Sequence, residues 1–290
     1  MNKRRIAIIG HGFVGQAVEY VFSTPSVEQM IIDTKYTFGN TINDLAGFNP
    51  DFTFVCVPTP MSDDGKINAS IVNQVITQVL ETVGDKSYVV LKSTLTPEHV
   101  SKITDYRFIY NPEFLAERSA KADIVNPQFH VIGSNDNAAG MQLSMLYKKY
   151  SMCGHVPTFY MKPIDASYVK YGINCFLATK VSFFNELFAN VINNNADWVA
   201  ISTAITSDER IGDSHSKVPG FDGKMGFGGA CFPKDVSAFI NACDDLTILE
   251  QAMNSNNSVR QWYDRDQREV EQNIQFDKPV VKFDNNTGEK

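Results

Sequence analysis

Cys231 is the residue whose surroundings most clearly allow chemistry. It follows a glycine pair at 228–229 and precedes Pro233 and Lys234. Because Pro is favoured in the first turn of a helix, we expect the sulfur near a helix N-terminus and beside Lys234. Both features lower a thiol pKa and favour the nucleophilic thiolate. The alternative is a buried, inert thiol, which is our interpretation of Cys56, Cys153, Cys175 and Cys243.

Lys170 and Asn174 form a second candidate group. They stand four residues apart, which puts both side chains on one face of a helix. An ammonium and an amide placed together can stabilise an oxyanion. Taken alone, such a pair is more typical of a solvated helix face, so its interpretation depends on the surrounding motifs.

The segment Gly10-His11-Gly12-Phe13-Val14-Gly15 predicts a dinucleotide site. It follows a predicted strand and opens a predicted helix, the context that makes this pattern informative. The first glycine allows the tight turn, the second lets a pyrophosphate approach the backbone, and the third lets helix and strand pack closely. The alternative is a plain glycine turn between strand and helix.

Asp33 ends the second predicted strand, about twenty residues after the glycine pattern begins. A carboxylate there accepts the two ribose hydroxyls and repels a 2′-phosphate, so NAD is favoured over NADP. Lys35 stands close enough to weaken that preference.

Alternating short β-branched runs and helical stretches predict an α/β fold, a Rossmann doubly wound parallel sheet, over residues 1–162. A helix predicted over Ile164–Asn194 opens a helical domain, 163–274, and residues 275–290 are a polar tail. The predicted strands are Arg5–Ile9, Met30–Asp33, Phe52–Val57, Tyr88–Lys92, Arg107–Tyr110, His130–Gly133 and Pro157–Tyr160. The predicted helices are Phe13–Phe22, Ala69–Thr82, Pro97–Thr104, Ala138–Tyr150, Ile164–Asn194, Pro233–Cys243 and Leu246–Asn273, with a loop over Ser207–Gly229.

Composition limits the class of protein further. A net charge of −7 argues against nucleic acid as a partner. The start carries no signal-peptide pattern, no window is expected to span a membrane, and five cysteines without a CxxC pair fit a reducing, cytoplasmic compartment. We predict no metal, because the five histidines lack ligand spacing with cysteines or carboxylates.

Four further segments, at 57–60, 92–94, 111–117 and 226–235, give the chain a family resemblance. With Lys170 and Asn174, they resemble the UDP-glucose/GDP-mannose dehydrogenase family from about Arg5 to Asn257. The resemblance implies a Rossmann domain followed by a helical, 6-phosphogluconate-dehydrogenase-like domain with a long central helix. It also implies oxidation of the C6 alcohol of a nucleotide sugar to a carboxylate, using two NAD and a thioester on Cys231.

The resemblance assigns roles residue by residue. Lys170 stabilises the alkoxide and the tetrahedral intermediates with Asn174 assisting, Asp235 orients or deprotonates water, and Glu113 works with water or the thioester. The alternatives are a first-turn helix carboxylate for Asp235, a strand-end cap for Thr94, an exposed carboxylate for Glu117 and a surface side chain for Arg210. The implied catalytic residues are Cys231, Lys170, Asn174, Asp235, Glu113 and Thr94. The implied cofactor-binding residues are Gly10, Gly12, Phe13, Val14, Gly15, Asp33, Lys35, Val57, Pro58, Thr59, Thr94, Glu117 and Lys234. The implied substrate-binding residues are Phe114, Leu115, Glu117, Lys170, Asn174, Arg210, Lys224, Phe227 and Gly228.

Family members usually continue into a third domain that closes over the nucleotide, for which this chain has no room. A short form, a separate partner chain that completes the nucleotide pocket, and a nonfunctional remnant are the alternatives. The long helix predicts a homodimer, because it carries more phenylalanines than a single buried helix face needs. An all-intrachain core is the alternative.

The sequence favours a nucleotide-sugar 6-dehydrogenase acting on UDP-glucose. A 3-hydroxyacid-type dehydrogenase that oxidises once is the second hypothesis, and it has no use for Cys231. A non-catalytic NAD-binding accessory subunit is the third.

Overall fold

A computed structural model describes residues 3–36, 38–115, 120–153 and 156–276. Within these ranges the chain divides into two compact units. The first comprises Met1–Thr59 and Asn68–Lys170, and the second comprises Pro60–Ile67 and Tyr171–Lys290. The predicted domain limits of 1–162 and 163–274 remain a prediction.

The first unit is built on a sheet of seven strands among the described residues. The strands are β1 (Arg4–Ile9), β2 (Val27–Ile32), β3 (Phe52–Val55), β4 (Tyr88–Leu91), β5 (Phe108–Tyr110), β6 (His130–Ser134) and β7 (Thr158–Met161), in the order β2-β1-β3-β4-β5-β6-β7. All neighbouring pairs are parallel except β5 and β6. The predicted Rossmann-type sheet is confirmed, with this one antiparallel pairing added.

Helices cover both faces of the sheet. They are α1 (Phe13–Val21), α2 (Leu45–Phe48), α3 (Ser70–Thr82), α4 (Pro97–Ser101), α5 (Ala120–Val125) and α6 (Asn137–Tyr150), with a 3₁₀ turn at Ile42–Asp44. Successive strand residues point to opposite faces, so Ile9 and Val55 lie in one apolar core while Ile8 and Phe54 lie in the other. Burial on both faces explains why the strands are continuous apolar runs.

The remaining helices are α7 (Pro163–Asn193), α8 (Trp198–Thr206), α9 (Phe232–Ala242), α10 (Thr247–Arg260) and α11 (Gln267–Glu271). The predicted long helix is confirmed as α7, and the unit boundary falls within it. The core of the second unit contains Ile67, Tyr171, Phe227 and Val236.

One predicted helix, Leu246–Asn273, is wrong. The structure ends α10 at Arg260 and starts α11 at Gln267. Asp266 begins the second helix because its side chain accepts the Glu269 N–H at 2.8 Å while the Glu269 carboxylate accepts the Asp266 N–H at 2.9 Å. This capping box nucleates a separate helix.

Helix α7 bears on the expectation that no window spans a membrane, without overturning it. Among the described residues it alone is long and apolar enough, with a mean hydropathy of 1.2 over an 18-residue window that is 33% buried. Length and composition are weak evidence for a span, because the core helix of a soluble protein passes the same test.

Candidate functional site

The glycine turn of the first unit joins β1 to α1. Gly10 has a φ of +89°, and a Cβ atom there would lie 2.8 Å from the Cys56 carbonyl carbon and 2.9 Å from the Val57 nitrogen. A Cβ on Gly15 would collide with the Gly10 carbonyl oxygen, whereas one on Gly12 would meet nothing within 4 Å. Gly10 and Gly15 are thus fixed by packing, and Gly12 faces open space at the N-terminus of α1.

Asp33 is anchored directly after β2 by backbone amides. Its Oδ2 accepts the His11 N–H at 2.5 Å, and its Oδ1 accepts the Lys35 and Tyr36 N–H groups at 2.7 and 3.3 Å. The carboxylate is half-buried, and the side chain of Lys35 is exposed. The two lone pairs on each oxygen make four acceptor sites, of which these bonds fill three, so one site on Oδ2 remains for a ribose hydroxyl.

The open face of Gly12 and the anchored Asp33 carboxylate fit a dinucleotide. A helix N-terminus with an approachable backbone suits a pyrophosphate, and a carboxylate at the end of the second strand suits the adenosine ribose. Phe13 and Val14, in the first turn of α1, are half-buried. The cofactor contacts of these residues remain predictions.

The segments after β3 and β4 bring further predicted residues to the same edge of the sheet. Val57 and Thr59 are buried and Pro58 is exposed. The Ser93 hydroxyl donates to the Val57 carbonyl at 2.6 Å, which ties the two segments together. Thr94 is 8% exposed.

Lys170 and Glu113 are 57 residues apart in the chain and meet in the structure. The Lys170 Nζ donates to the Glu113 carbonyl at 2.6 Å and lies 3.2 Å from its Oε1. The other carboxylate oxygen accepts the Leu115 N–H at 2.7 Å, and the ammonium lies 5.4 Å from the centre of the Phe114 ring. Four predicted residues therefore form one cluster, in which Lys170 is buried and the other three are half-buried. Glu117 lies outside the described residues.

A buried polar network that the sequence analysis did not assign lies beside these strand ends. The Lys92 Nζ and the Tyr147 hydroxyl both donate to the Asn111 Oδ1, at 2.9 and 2.8 Å, and the Asn111 amide donates to the Val131 carbonyl at 2.7 Å. Burial lowers the pKa of Lys92 to about 8. The available signal was the position of these residues at strand ends, since Lys92 is the last residue of one predicted strand and Asn111 directly follows the next.

In the second unit, Cys231 is the N-cap residue of α9, and Pro233 stands in the first turn. Cys231 therefore stands at a helix N-terminus, as predicted, but its side chain makes no capping hydrogen bond there. The predicted position of its sulfur beside Lys234 remains a prediction. Gly226 and Gly229 have φ values of +75° and +76°, a conformation that L side chains rarely adopt, so the turn before Cys231 requires glycine. Cys231 is half-buried.

Asp235 joins two predicted residues of the second unit. Its Oδ1 accepts from the Lys234 Nζ at 2.6 Å and its Oδ2 accepts from the Asn174 amide at 2.7 Å. All three side chains are buried. The Lys234 ammonium is thus directed at Asp235, and its predicted cofactor contact remains a prediction.

Three of the other cysteines have an environment that suppresses their reactivity. Burial raises the pKa of Cys56 to about 12 and also raises the pKa values of Cys153 and Cys175. A thiol with a raised pKa is a poor nucleophile at neutral pH. Their interpretation as inert thiols is consistent with these environments.

The predicted substrate-binding residues of the second unit lie in different settings. The Arg210 side chain is 88% exposed and is paired with Asp208, while the Lys224 Nζ donates to the Asp264 carbonyl. Phe227 is buried in the apolar core, and a Cβ on Gly228 would collide with Arg260. Their substrate contacts remain predictions.

Two residues of the second unit were missed in the sequence analysis. Arg260 and Glu269 are both buried and contact the glycine turn before Cys231. The Asp266–Glu269 spacing, typical of a capping box, was the signal for a helix start there. Within the described parts of the chain, no group of three or more His, Cys, Asp or Glu residues could hold a metal ion.

Two domains of one known protein family match this chain. The NAD binding domain of the UDP-glucose/GDP-mannose dehydrogenase family matches residues 26–151, and the central domain of the same family matches residues 165–258. The chain belongs to this family. Its first unit carries most of the NAD-binding match, and Cys231 lies within the central-domain match.

Curated relatives point to the same family. UDP-glucose 6-dehydrogenase TuaD of Bacillus subtilis is 30% identical over 250 residues, which are 81% of this chain and 52% of the relative. A UDP-glucose 6-dehydrogenase of Pseudomonas aeruginosa is 35% identical over 261 residues, 84% of this chain and 55% of the relative. The chain spans about half the length of these relatives.

Solved structures share the fold. A UDP-glucose dehydrogenase from Pyrobaculum islandicum superposes with a TM-score of 0.78 at 27% identity, covering 90% of this chain and 69% of that one. A 3-hydroxyisobutyrate dehydrogenase from Mycobacterium tuberculosis gives a TM-score of 0.69 at 16% identity, covering 86% of this chain and 91% of that one. The second likeness shows the fold alone.

Proposed function

We propose that this chain is an NAD-dependent nucleotide-sugar 6-dehydrogenase that oxidises the C6 alcohol of UDP-glucose to the carboxylate of UDP-glucuronate. The observation that carries the proposal is Cys231 at the N-terminus of α9, within the match to the family's central domain. NAD, when bound, accepts the hydrogen removed from C6 as hydride. We place the enzyme in the cytoplasm, in keeping with its five free cysteines.

The residues of the chain have distinct tasks in this reaction. The buried Lys170 ammonium stabilises the alkoxide of the substrate and the negative charge of the later tetrahedral intermediates, and Asn174 assists. Glu113, which accepts from Lys170, orients the attacking water. Thr94 lines the cofactor and substrate site.

Cys231 is the nucleophile. Its thiolate adds to the C6 aldehyde that the first oxidation forms, and the second oxidation converts this thiohemiacetal to a thioester. Water then cleaves the carbon–sulfur bond, releasing the carboxylate and restoring the thiol. One alcohol, one water and two NAD⁺ yield one carboxylate, two NADH and three protons. Asp235 assists by orienting or deprotonating the water.

The amount of NADH formed per sugar tests this proposal. The purified chain is incubated with excess NAD and limiting UDP-glucose, with other UDP and GDP sugars in parallel, and NADH absorbance is followed to completion. We expect two NADH per UDP-glucose. Cys231→Ser is expected to abolish the second equivalent, whereas Cys243→Ser, a half-buried cysteine at the other end of α9, retains it.

Three outcomes contradict the proposal. One NADH per sugar favours a dehydrogenase that oxidises once. Full activity of Cys231→Ser removes the covalent step. Binding of NAD without turnover of any sugar favours an accessory subunit.

We further propose that the chain forms a homodimer through α7 and α8. In support, Phe176, Phe183 and Val199 are 68%, 57% and 71% exposed, although all three are large and apolar. Exposed apolar surface of this kind is typical of interfaces.

A further inference from the structure

Arg260, the last residue of α10, reaches back to the turn that carries Cys231. Its side chain is 3% exposed. Nη2 donates to the Gly226 carbonyl at 2.9 Å, and Nη1 lies 2.8 Å from the Asp222 carboxylate and 3.9 Å from that of Glu269. The guanidinium therefore connects the start of the glycine turn to α11.

Glu269 holds the other end of the same turn. Its Oε1 accepts the Gly229 N–H at 2.8 Å, and its side chain is 2% exposed. Its Oε2 accepts the Asp266 N–H, so the residue that contacts the turn also completes the capping box of α11. The end of the turn is thereby tied to the start of this helix.

Gly228 lies directly on the pair. A Cβ atom there would overlap the Arg260 guanidinium and would lie 2.5 Å from the Glu269 Oε1. Two further backbone groups of the turn are also bound by side chains, since Asn185 accepts the Gly226 N–H at 2.8 Å and Asn256 accepts the Phe227 N–H at 2.6 Å. We refer to Arg260 and Glu269 as the clamp.

Stability alone is a poor explanation for the clamp. Burying a guanidinium and a carboxylate carries a desolvation cost that a well-packed apolar pair avoids, so buried ion pairs are weak evidence for stability. Their best-attested use is to fix one arrangement over its alternatives. The clamp fixes the backbone of a turn rich in glycine, which otherwise has unusual conformational freedom.

We propose that Arg260 and Glu269 are positioning residues for Cys231, holding the backbone of the turn before it so that its sulfur keeps one position at the N-terminus of α9. This inference rests on the proposed function, because it assigns the clamp to the same thiol. The helix N-terminus favours the thiolate only while the sulfur stays close to the amides. Release of the turn therefore weakens the thiolate.

Alkylation of Cys231 by iodoacetamide, followed by peptide mass spectrometry from pH 5 to pH 10, tests the clamp without any turnover. Glu269→Ala removes the acceptor of the Gly229 N–H, and we expect the midpoint of the alkylation profile to move to higher pH and the rate at pH 7 to fall at least fivefold. Glu269→Gln keeps an acceptor oxygen and is expected to restore much of the rate. Glu271→Ala, an exposed carboxylate on the same helix, is the matched control and leaves the profile unchanged.

In the dehydrogenase assay, Glu269→Ala is expected to lower kcat at least tenfold. Circular dichroism verifies folding of each variant, and Arg260→Lys provides the same alkylation test if Glu269→Ala does not fold. An alkylation profile of Glu269→Ala identical to that of the parent overturns the clamp. A shifted profile in a chain that oxidises no nucleotide sugar supports the clamp and rejects the proposed function.

Discussion

His130 is a titratable side chain held in an environment that opposes its charge. Its ring stacks on Tyr147 at a centroid distance of 4.4 Å, and its Nε2 is buried without a hydrogen-bond partner among the described residues. Burial, with a smaller effect from the Lys92 ammonium, lowers its pKa to about 4. The folded chain therefore binds fewer protons than the unfolded chain between about pH 6.5 and pH 4.

This difference makes the first unit sensitive to acid. The free energy of unfolding keeps its full value above pH 6.5. It falls as the pH drops toward 4, by about 3 kcal/mol in total for His130. The variant His130→Phe keeps the aromatic stack and removes the titration. We expect it to reduce the fall in the free energy of unfolding between pH 6.5 and pH 4. Urea unfolding at pH 7, 5.5 and 4.5 measures the effect, and an equally steep decline in the variant would contradict it.

At the level of single residues, local motifs were predictable and buried partners were not. The glycine pattern and the Cys231 segment are contiguous in sequence, so their residue types indicate a turn and a thiol at a helix start. The partners of Asn111 and Arg260 come from strands and helices far away in sequence. Such a contact depends on which elements become neighbours, and no local spacing encodes it.

In the turn between β1 and α1, Gly15 is required for packing, whereas Gly12 is predicted to contact the cofactor. Gly12→Ala introduces a methyl group into open space, so the fold is expected to keep its melting temperature within a few degrees while affinity for NADH falls at least tenfold, because the methyl blocks the approach of the pyrophosphate. Gly15→Ala collides with the Gly10 carbonyl and is expected to prevent folding. NADH fluorescence titration and thermal melting measure the two effects.

Gly47→Ala is the matched control for Gly12→Ala, because a Cβ atom at Gly47 also meets nothing within 4 Å. It is expected to bind NADH as the parent does. Parent-like NADH affinity in Gly12→Ala would place the pyrophosphate elsewhere.

At the level of elements, the strands and the long helix were predictable because their apolar runs are long and uninterrupted. The break between α10 and α11 was not, since the apolar spacing continues across it and the capping box of Asp266 decides the outcome. Helix α8 was also missed. It has nine residues, and its Asp197 N-cap, which accepts the Ala200 N–H at 3.1 Å, is the signal that was available.

At the level of the whole molecule, the exposed phenylalanines of α7 predict association. We expect the parent to sediment at twice the chain mass of 32.4 kDa and the double variant Phe176→Ser/Phe183→Ser to sediment as a monomer. Ile248→Ser, which alters an equally exposed apolar side chain on α10, is expected to leave the dimer intact. A parent that sediments as a monomer at micromolar concentration would rule out this interface.

Residues 60–67 belong to the second unit although they interrupt the sequence of the first. The Met61 N–H donates to the Gln272 carbonyl at 3.0 Å, and Ile67 lies in the core with Tyr171. The polypeptide thus enters the second unit early, returns, and enters it again at Tyr171. No single proteolytic cut can therefore yield both units intact, and a fragment that stops before α7 carries a short segment whose bonding partners have been removed.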